Sequence, residues 1–409
     1  CYMTLEKIRT RFFKMQQNKG PLHGIVVIDL TRILSGPFST RILLDLGARV
    51  IKIEPPSGDP TRSFAARISS PSSSDVSSAY FAAVNAGKET ITLNLRADDD
   101  RATLTSLLQR ADVLVENYRP GVMRRLGFHW DAVHALNPRL VMCSISGFGQ
   151  TGPDSHLGAV DTIIQATSGI MSVTSTVANG SPTRAGVSIS DILAGVYASS
   201  GIQAALLARE RQPPHHGAYV DISMLDCSVA ASLVQLGQWH ANGKDPLPIG
   251  NRNPVVAPFD NFTCKDNTKL VVVALNTEEF IKLCTLLGVE LLLERPEFRT
   301  NNLRLEHADE LSQELERVLV TKTAEEWMVL FRKNGVTCAP INSPSNVYAS
   351  PQVQARSMAL KSIDGRFVIA GNPVKISGYE DLTVRSNPPV LNERRDEILK
   401  FAKDGRSKL

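Results

Sequence analysis

Four consecutive stretches decide the fold: Ile25-Val-Val-Ile-Asp-Leu30, then Thr31-Arg-Ile-Leu-Ser-Gly-Pro37, then an apolar-periodic stretch to Leu46, and then Val50-Ile-Lys-Ile-Glu54. Residues 25–30 and 50–54 are typical of buried strands, since apolar and β-branched side chains fill them. Ser35 and Pro37 favour a helix start, because proline tolerates the first helical position and serine can accept from a free amide. The stretch therefore predicts strand, turn, helix and strand.

The same alternation continues along the first half of the chain. We expect a strand at 90–95, a helix at 98–110, and strands at 113–115 and 140–145. Strands that alternate with helices indicate an α/β fold whose parallel sheet is covered on both faces. The serine-rich segment 69–78 is predicted to be an exposed loop.

The second half indicates a separate, smaller unit. Helical patterns cover 192–209 and 224–243, and residues 270–327 combine a strand with several helices. We therefore predict a large domain made of residues 1–222 and 335–409, and a small domain with its linkers at 223–334.

Composition excludes several classes of function. The 409 residues are 43% hydrophobic and 21% charged, as in an ordinary globular protein, and no stretch approaches the ~20 apolar residues that span a bilayer. No membrane partner is expected. The net charge of +4 has interspersed signs, so nucleic acid is not expected either. Six scattered cysteines predict small core side chains rather than a disulfide framework or a metal site.

Two motifs leave alternatives open. Gly147-Phe-Gly-Gln-Thr-Gly152 matches a dinucleotide-binding pattern, but Pro153–His156 does not open the helix that would hold a pyrophosphate. Asp191 precedes an apolar helix and resembles an N-cap. A helix N-terminus also favours an ionised carboxylate, which is what a carboxylate nucleophile needs. Asp161 and the pair His215-His216 are further candidates.

Seven ordered motifs together carry a family resemblance. They are Asp29-Leu-Thr-Arg-Ile-Leu-Ser-Gly-Pro37, Asp45-Leu-Gly-Ala-Arg-Val-Ile-Lys-Ile-Glu54, Asp59-Pro-Thr-Arg62, Glu116-Asn-Tyr-Arg-Pro-Gly121, Ser146-Gly-Phe-Gly-Gln-Thr-Gly-Pro153, Gln165-Ala-Thr-Ser-Gly169 and Val220-Asp-Ile-Ser-Met-Leu-Asp226. The chain resembles the class III CoA-transferases, which include formyl-CoA and carnitine CoA-transferases and also α-methylacyl-CoA racemase. Residues 165–171 and 339–342 are most similar to the branch that acts on succinyl-CoA and glutarate.

The resemblance assigns roles to individual positions. Asp191 matches the catalytic aspartate, and Gly158 stands where formyl-CoA transferase has a lysine, so that CoA contact is expected to be lost. Leu34 replaces a glutamine. The positions that match CoA contacts are Arg32, Ile33, Leu34 and Ser35 in the first loop and Val122, Arg125 and Leu126 at the nucleotide end, and those that match the substrate pocket are Val160, Asp161 and, in the active-site loop, Asn251.

The implied reaction is transfer of CoA from an acyl-CoA, with succinyl-CoA as the expected donor, to a carboxylic acid. It would run through an Asp191 anhydride and thioester, with acyl-CoA as substrate and with neither a permanently bound cofactor nor a metal. An α-methylacyl-CoA racemase is the first alternative, but Val160 replaces the histidine base of the racemases and cannot carry a proton. A catalytically silent CoA-binding protein is the second.

The resemblance also implies an architecture and a location. The family fold combines a Rossmann-like large domain, built from both chain ends, with a smaller α/β domain, and two subunits interlock as rings in an obligate homodimer. Ser407-Lys-Leu409 matches the address read by the peroxisomal import receptor, so we expect the peroxisomal matrix. The basic residues within 7–19 keep a mitochondrial presequence open as the alternative.

Overall fold

The computed structural model describes residues 20–69 and 76–403. Its strands are β1 Val26–Asp29, β2 Arg49–Glu54, β3 Arg67–Ser69, β4 Val76–Ser78, β5 Glu89–Thr92, β6 Val113–Glu116, β7 Val141–Ser146, β8 Tyr219–Ser223, β9 Phe259–Thr263, β10 Lys269–Val273, β11 Thr337–Pro340, β12 Ala359–Lys361 and β13 Val368–Ala370.

The α-helices connect these strands and cover them. They are α1 Ser35–Asp45, α2 Ala79–Asn85, α3 Asp98–Leu108, α4 Val122–Leu126, α5 Trp130–Leu136, α6 Asp161–Thr167, α7 Ile189–Arg211, α8 Met224–Ala231, α9 Leu233–Asn242, α10 Thr277–Leu287, α11 Asn301–Glu306, α12 Ala308–Leu319, α13 Ala324–Lys333, α14 Pro344–Ala349, α15 Pro351–Ala355 and α16 Arg395–Lys403.

A six-stranded parallel sheet in the order β5-β2-β1-β6-β7-β8 forms the frame of the site. Val27 of β1 pairs with Val50 on one side and with Val113 on the other. The chain moves outward from β1 in both directions, so the loops that follow β1 and β6 part at the carboxyl edge. Open α/β sheets bind ligands at such a switch point.

Alternate residues of the sheet build two separate cores. Val27, Val113 and Val141 pack with Leu43 of α1 and with α7, while the intervening side chains pack with α3, α5 and α16 on the opposite face. The predicted parallel sheet with helices on both faces is confirmed.

Helix α7 departs from one prediction. It spans 23 residues and is, on average, apolar enough to cross a bilayer by length and composition alone, so the expectation that no stretch approaches that size is wrong. Ala194, Ala198 and Ile202 are fully buried in the core beneath the sheet. Core burial therefore accounts for the apolar character of this face of the helix.

The chain divides into two compact units, each described here by itself. The first takes the described parts of Cys1–Gly169, Gly186–Leu233 and Ser350–Leu409, and the second takes Ile170–Ala185 and Val234–Ala349. The changeovers after 233 and 349 lie later in the chain than the bounds predicted at 223 and 335. In the second unit, the antiparallel sheet β11-β10-β9 packs against α10, α12 and α13 around Trp327.

Two local predictions are corrected. The segment 69–78 is not simply a loop, since β3 and β4 pair antiparallel with Ile68 opposite Ser77, while residues 70–75 lie outside the described chain. The helix predicted over 224–243 is two helices that change over at Ser232. Cys143, Cys227, Cys264 and Cys284 are buried among core side chains as predicted, and Cys1 lies outside the described residues.

Candidate active site

Asp191 lies in the first turn of α7 but does not cap it. The helix begins at Ile189 after the N-cap residue Ser188, so Asp191 is its third residue and the N-cap interpretation is wrong. Its carboxylate accepts hydrogen bonds from the hydroxyl and from the backbone N–H of Ser35. The side chain is therefore held in one place by a residue far away in the sequence.

Ser35 is the first residue of α1, after the N-cap residue Leu34, and no side chain caps this helix. The predicted capping role of Ser35 is therefore replaced by its contact with Asp191. The two helices approach closely at Gly195, where an added Cβ would lie 2.9 Å from the Ser35 carbonyl oxygen and 2.8 Å from Phe38 Cδ1. Only a glycine leaves room for this approach.

The surroundings of Asp191 favour its protonated form. Burial raises the pKa of Asp191 to about 6, and the negative charge of Asp161 adds to the rise, while the hydrogen bonds from Ser35 oppose it. A carboxylate with this pKa is ionised at neutral pH yet poorly solvated. Such a group is a better nucleophile than a carboxylate in water.

Asp161 is buried and orients the start of α7. Its Oδ1 accepts from the Ser190 N–H at 2.9 Å, and its Oδ2 accepts from Gln165 Nε2 at 2.7 Å. Since Ser190 immediately precedes Asp191, Asp161 fixes the position of Asp191 and also acts on its pKa. Its contact with substrate stays a prediction.

The first loop is tied to the loop that follows β6. The Arg32 N–H donates to Asn117 Oδ1 at 2.8 Å, and Asn117 Nδ2 donates to the Arg32 carbonyl at 2.8 Å and to Ser35 Oγ at 3.4 Å. Ile33 has φ 67°, a left-handed conformation that is strained for a β-branched residue. Strain of this kind occurs at functional sites, where the surrounding contacts hold it.

A buried ion network holds this loop in place. Lys88 Nζ donates hydrogen bonds to Asp29 Oδ2 at 2.9 Å and to the Pro37 carbonyl at 3.0 Å. Lys52 Nζ donates to the Thr31 carbonyl at 2.7 Å and forms an ion pair with Asp59 at 3.0 Å. Burial opposes the charge of Asp29, but the two lysines outweigh it and hold its pKa well below the usual range. The network therefore fixes both ends of the loop.

The positions matched to CoA contacts lie at this same edge of the sheet. The Arg32 guanidinium stacks on the Tyr118 ring, 4.8 Å from its centroid, and Arg32 Nε is buried without a partner among the described residues. The nucleotide-end positions Val122, Arg125 and Leu126 form the short helix α4, with the Arg125 side chain exposed. The contact of these residues with CoA stays a prediction.

Sequence reasoning missed Tyr80. Burial raises its pKa, and the negative charges of Asp191, Asp59 and Asp161 contribute, so the phenol lies close to the carboxylate pair. Its ring packs edge-on against Phe64 with centroids 5.3 Å apart. No pattern around Tyr80 identifies it, because its place in the site depends on tertiary contacts.

No metal-binding group is evident in residues 20–69 and 76–403, since three or more His, Cys, Asp or Glu side chains do not cluster there. The motif at 147–152 forms bends, and a helix begins only at Asp161. The pyrophosphate-binding geometry of a dinucleotide fold is therefore missing at this motif.

Comparison with known proteins decides the family. The family model described as CoA-transferase family III matches residues 22–395. The chain belongs to CoA-transferase family III. The chain is 46% identical over 378 residues to the acetyl-CoA:oxalate CoA-transferase of Acetobacter aceti, which covers 92% of this chain and 94% of that protein.

One further relative and one solved structure support this family assignment. It is 33% identical to human succinyl-CoA:glutarate CoA-transferase, over 94% of this chain and 86% of that protein. The crystal structure of a CAIB/BAIF family protein from Brucella suis matches with a TM-score of 0.87 at 34% identity, over 95% of this chain and all of that one. The protein is therefore a CoA-transferase, and CoA thioesters are its substrates.

Two predicted pocket residues of the transferase have exposed side chains. Val160 is the N-cap of α6 and is 64% exposed, directly before Asp161. Asn251 belongs to the second unit and is exposed. The assignment of both to the substrate pocket stays a prediction.

Proposed function

We propose that this enzyme moves CoA from succinyl-CoA to a short dicarboxylic acid through a covalent intermediate on Asp191. One observation carries the proposal, namely a buried carboxylate with a raised pKa that Ser35 holds at the carboxyl edge of the parallel sheet. A carboxylate nucleophile needs a fixed position and incomplete solvation, and Asp191 has both.

The chemistry balances without another reactant. The Asp191 carboxylate attacks the thioester carbonyl, forming a mixed anhydride as the carbon–sulfur bond breaks and CoA thiolate leaves. The thiolate attacks the aspartyl carbonyl, which releases the donor acid and leaves an aspartyl-CoA thioester. The acceptor carboxylate then repeats these steps in reverse, and one thioester is exchanged for another.

The names of the relatives support a dicarboxylate acceptor. The curated relatives include enzymes named for oxalate, glutarate and mesaconate as the acid. Their named donors are acetyl-CoA and succinyl-CoA. We propose succinyl-CoA for this chain, and acetyl-CoA is the competing donor to be compared with it.

A racemase is disfavoured by one residue. Inversion at an α-carbon needs a proton carrier on each face of the substrate, and each positioned acid or base contributes about 10²–10⁴-fold. Valine at position 160 cannot carry a proton. A silent CoA-binding protein would have no use for a carboxylate buried against a second negative charge.

We further propose an obligate homodimer located in peroxisomes. Helix α9 supports the dimer, because Val234 is 55% exposed and Trp239 51% exposed in the single chain, and a partner would cover them. The terminal Ser407-Lys-Leu409, outside the described residues, supports import by the peroxisomal receptor. Sedimentation and a tagged full-length chain in cells test these two points.

The test is a mass-spectrometric screen for CoA exchange. Wild-type enzyme and Asp191→Asn are incubated with succinyl-CoA or acetyl-CoA and a panel of mono- and dicarboxylic acids. We expect new acyl-CoA only with the wild type and best with a short dicarboxylate. Deuterium incorporation into 2-methylacyl-CoA without any exchange would instead favour the racemase.

A further inference from the structure

Glu116 is a buried carboxyl group that the proposed chemistry does not use. It is the last residue of β6 and only 3% exposed. Its Oε2 accepts a hydrogen bond from the Tyr118 N–H at 2.8 Å, and the Ser144 hydroxyl of the neighbouring strand β7 bonds the same carboxyl group. The side chain therefore turns back onto the loop that follows its own strand and holds the backbone of that loop.

No cation compensates this carboxyl group. Among the described residues, no lysine, arginine or histidine stabilises its charge. Burial raises the pKa of Glu116 to about 7, so the group is often protonated near neutral pH. Its acceptor oxygen, rather than a full charge, is therefore the property that the fold can use. The titratable side chains around it are Tyr118, Cys143 of β7, and Tyr219 and Asp221 of β8.

The two residues after Glu116 both grip Arg32 in the first loop. Asn117 Oδ1 accepts from the Arg32 N–H at 2.8 Å, and Asn117 Nδ2 donates to the Arg32 carbonyl at 2.8 Å. The Tyr118 ring carries the Arg32 guanidinium 4.8 Å from its centroid. Because Glu116 bonds the N–H of Tyr118, it fixes the backbone from which both side chains project.

The same contacts continue to the carboxylate of Asp191. Asn117 Nδ2 also donates to Ser35 Oγ at 3.4 Å, and the Ser35 hydroxyl bonds Asp191. A hydroxyl group has one proton, so a hydroxyl oxygen that accepts from Asn117 directs its proton away from that donor and toward the carboxylate. The buried end of β6 is thus connected to Asp191 through Asn117 and Ser35.

We propose that Glu116 is a positioning residue of the transferase, which holds Asn117 in place and through it directs the Ser35 hydroxyl to Asp191. Glu116 touches neither the substrate nor the reacting atoms. The importance of Asp191 rests on the proposed function, whereas the contacts of Glu116 do not. The property required at this position is an acceptor oxygen, which glutamine also supplies and leucine does not.

Glu116→Gln and Glu116→Leu separate the acceptor oxygen from the charge, because both remove the charge and only glutamine can still accept from the Tyr118 N–H. We expect Glu116→Leu to lower kcat for CoA exchange roughly tenfold or more, with KM changed less, since small misplacements of reacting groups are costly. Glu116→Gln should stay within about twofold of wild type, because the bond is kept.

Glu316→Leu is the matched control for this pair of variants. Glu316 Oε1 likewise accepts a backbone N–H, from Thr263 at 2.7 Å, but it belongs to the second unit. Its replacement should lower stability without the fall in kcat. A loss of kcat that Glu316→Leu shares with Glu116→Leu would mean that any lost carboxyl bond has this effect, and would contradict the proposal.

The titration of Asp191 is a readout that a loss of stability alone would not move. The hydrogen bonds from Ser35 oppose the rise in the pKa of Asp191, so weakening them should raise that pKa further. NMR of protein with isotope-labelled aspartate carboxyl carbons follows this group, whose signal is identified by its absence in Asp191→Asn. It should titrate roughly half to one pH unit higher in Glu116→Leu and as in wild type in Glu116→Gln.

Two further variants test the path itself. In Glu116→Leu combined with Ser35→Ala, activity should fall little below that of the more severe single variant, because both changes break one chain of contacts. Asn117→Ala breaks the middle of that chain and should raise the pKa of Asp191 in the same way. This variant keeps the proposal testable if Glu116→Leu does not fold.

Three more results would overturn the proposal. They are an Asp191 titration that does not move in Glu116→Leu or Asn117→Ala, equal losses in Glu116→Gln and Glu116→Leu, and additive losses in the double variant with Ser35→Ala. The NMR titration requires no turnover. A shifted Asp191 titration in a protein whose wild type exchanges no CoA would therefore count against the proposed function alone.

Discussion

Ser35 donates two hydrogen bonds to Asp191, one from its hydroxyl and one from its backbone N–H, and so joins the amino ends of α1 and α7. The pair lies at the carboxyl edge of the sheet, beside the switch point between β1 and β6. Asn117, in the loop after β6, donates a hydrogen bond from Nδ2 to Ser35 Oγ. The nucleophile is therefore positioned by both loops of the switch point.

Ser35→Ala should lower kcat/KM roughly tenfold while leaving the fold intact. It removes the hydroxyl bond to the carboxylate but keeps the N–H, and a bond to a charged group contributes about 1.5–3 kcal/mol. Steady-state kinetics measure the change. Ser39→Ala on the same helix is the matched control, because the Ser39 hydroxyl is buried without a partner among the described residues. Equal losses in both variants would contradict a specific role for Ser35.

Gly195→Ala should reduce kcat more than it reduces stability. The new methyl group would lie 2.9 Å from the Ser35 carbonyl oxygen, so α1 and α7 must separate and the Ser35–Asp191 pair must shift. Rate and thermal midpoint are measured together. Gly201→Ala on the same helix is the control, because an added Cβ there would lie 2.9 Å from Val220 Cγ1 instead of meeting Ser35, and it should change stability more than rate. Full activity in Gly195→Ala would show that the close approach is not needed.

Asp161→Asn should move the acid limb of the pH–rate profile to lower pH. The ionised form of Asp191 is the nucleophile, so kcat/KM should rise with pH through about 6. Removing the Asp161 charge lowers the pKa of Asp191, but burial, the larger cause, remains, so we expect a shift of about one pH unit or less.

Glu116 needs a separate variant in this experiment, because burial raises its pKa to about 7. Glu116→Gln should leave the acid limb near the pKa of Asp191. If Glu116→Gln moves the acid limb and Asp161→Asn does not, the titrating group is Glu116 and not Asp191.

Asp191→Asn should stabilise the protein above pH 6. The pKa of Asp191 is raised from 3.8 to about 6 in the folded state, so between these values the folded protein binds more protons than the unfolded chain. The free energy of unfolding therefore falls as pH rises through this window. Asparagine avoids that loss, and the gain should reach on the order of 3 kcal/mol at most.

Chemical denaturation at pH 4 and pH 8 measures this gain. The two proteins should differ little at pH 4 and most at pH 8. Asp131→Asn is the control, since the Asp131 side chain is 77% exposed and should give no such pH-dependent gain. If Asp191→Asn is less stable than wild type at pH 8, the charge of Asp191 does not destabilise the folded protein and its poor solvation is disproved.

Much of the fold could be predicted because its signals are local. The apolar runs at 25–30 and 50–54 lie within about a residue of β1 and β2, and the alternation with helices predicted the parallel sheet. The change of helix at Ser232 could not be predicted, since neither glycine nor proline marks it. At this point Ser232 Oγ donates to the Ser228 carbonyl, and a serine that bonds back to its own helix in this way often bends it.

The site was less predictable from the residues alone. Asp191 was found because it matches a family motif, while its partners Ser35 and Asp161 are distant in the chain and are brought to it by the fold.

The most direct test of the central claim is to trap and map the covalent intermediate. Enzyme incubated with succinyl-CoA and then hydroxylamine or borohydride is digested and sequenced by mass spectrometry, with Asp191→Asn treated in parallel. The adduct should lie on the peptide that contains Asp191 and be absent from the variant. An adduct on Asp161 or a cysteine, or exchange that proceeds at the wild-type rate in Asp191→Asn, would contradict the assignment of Asp191 as the nucleophile.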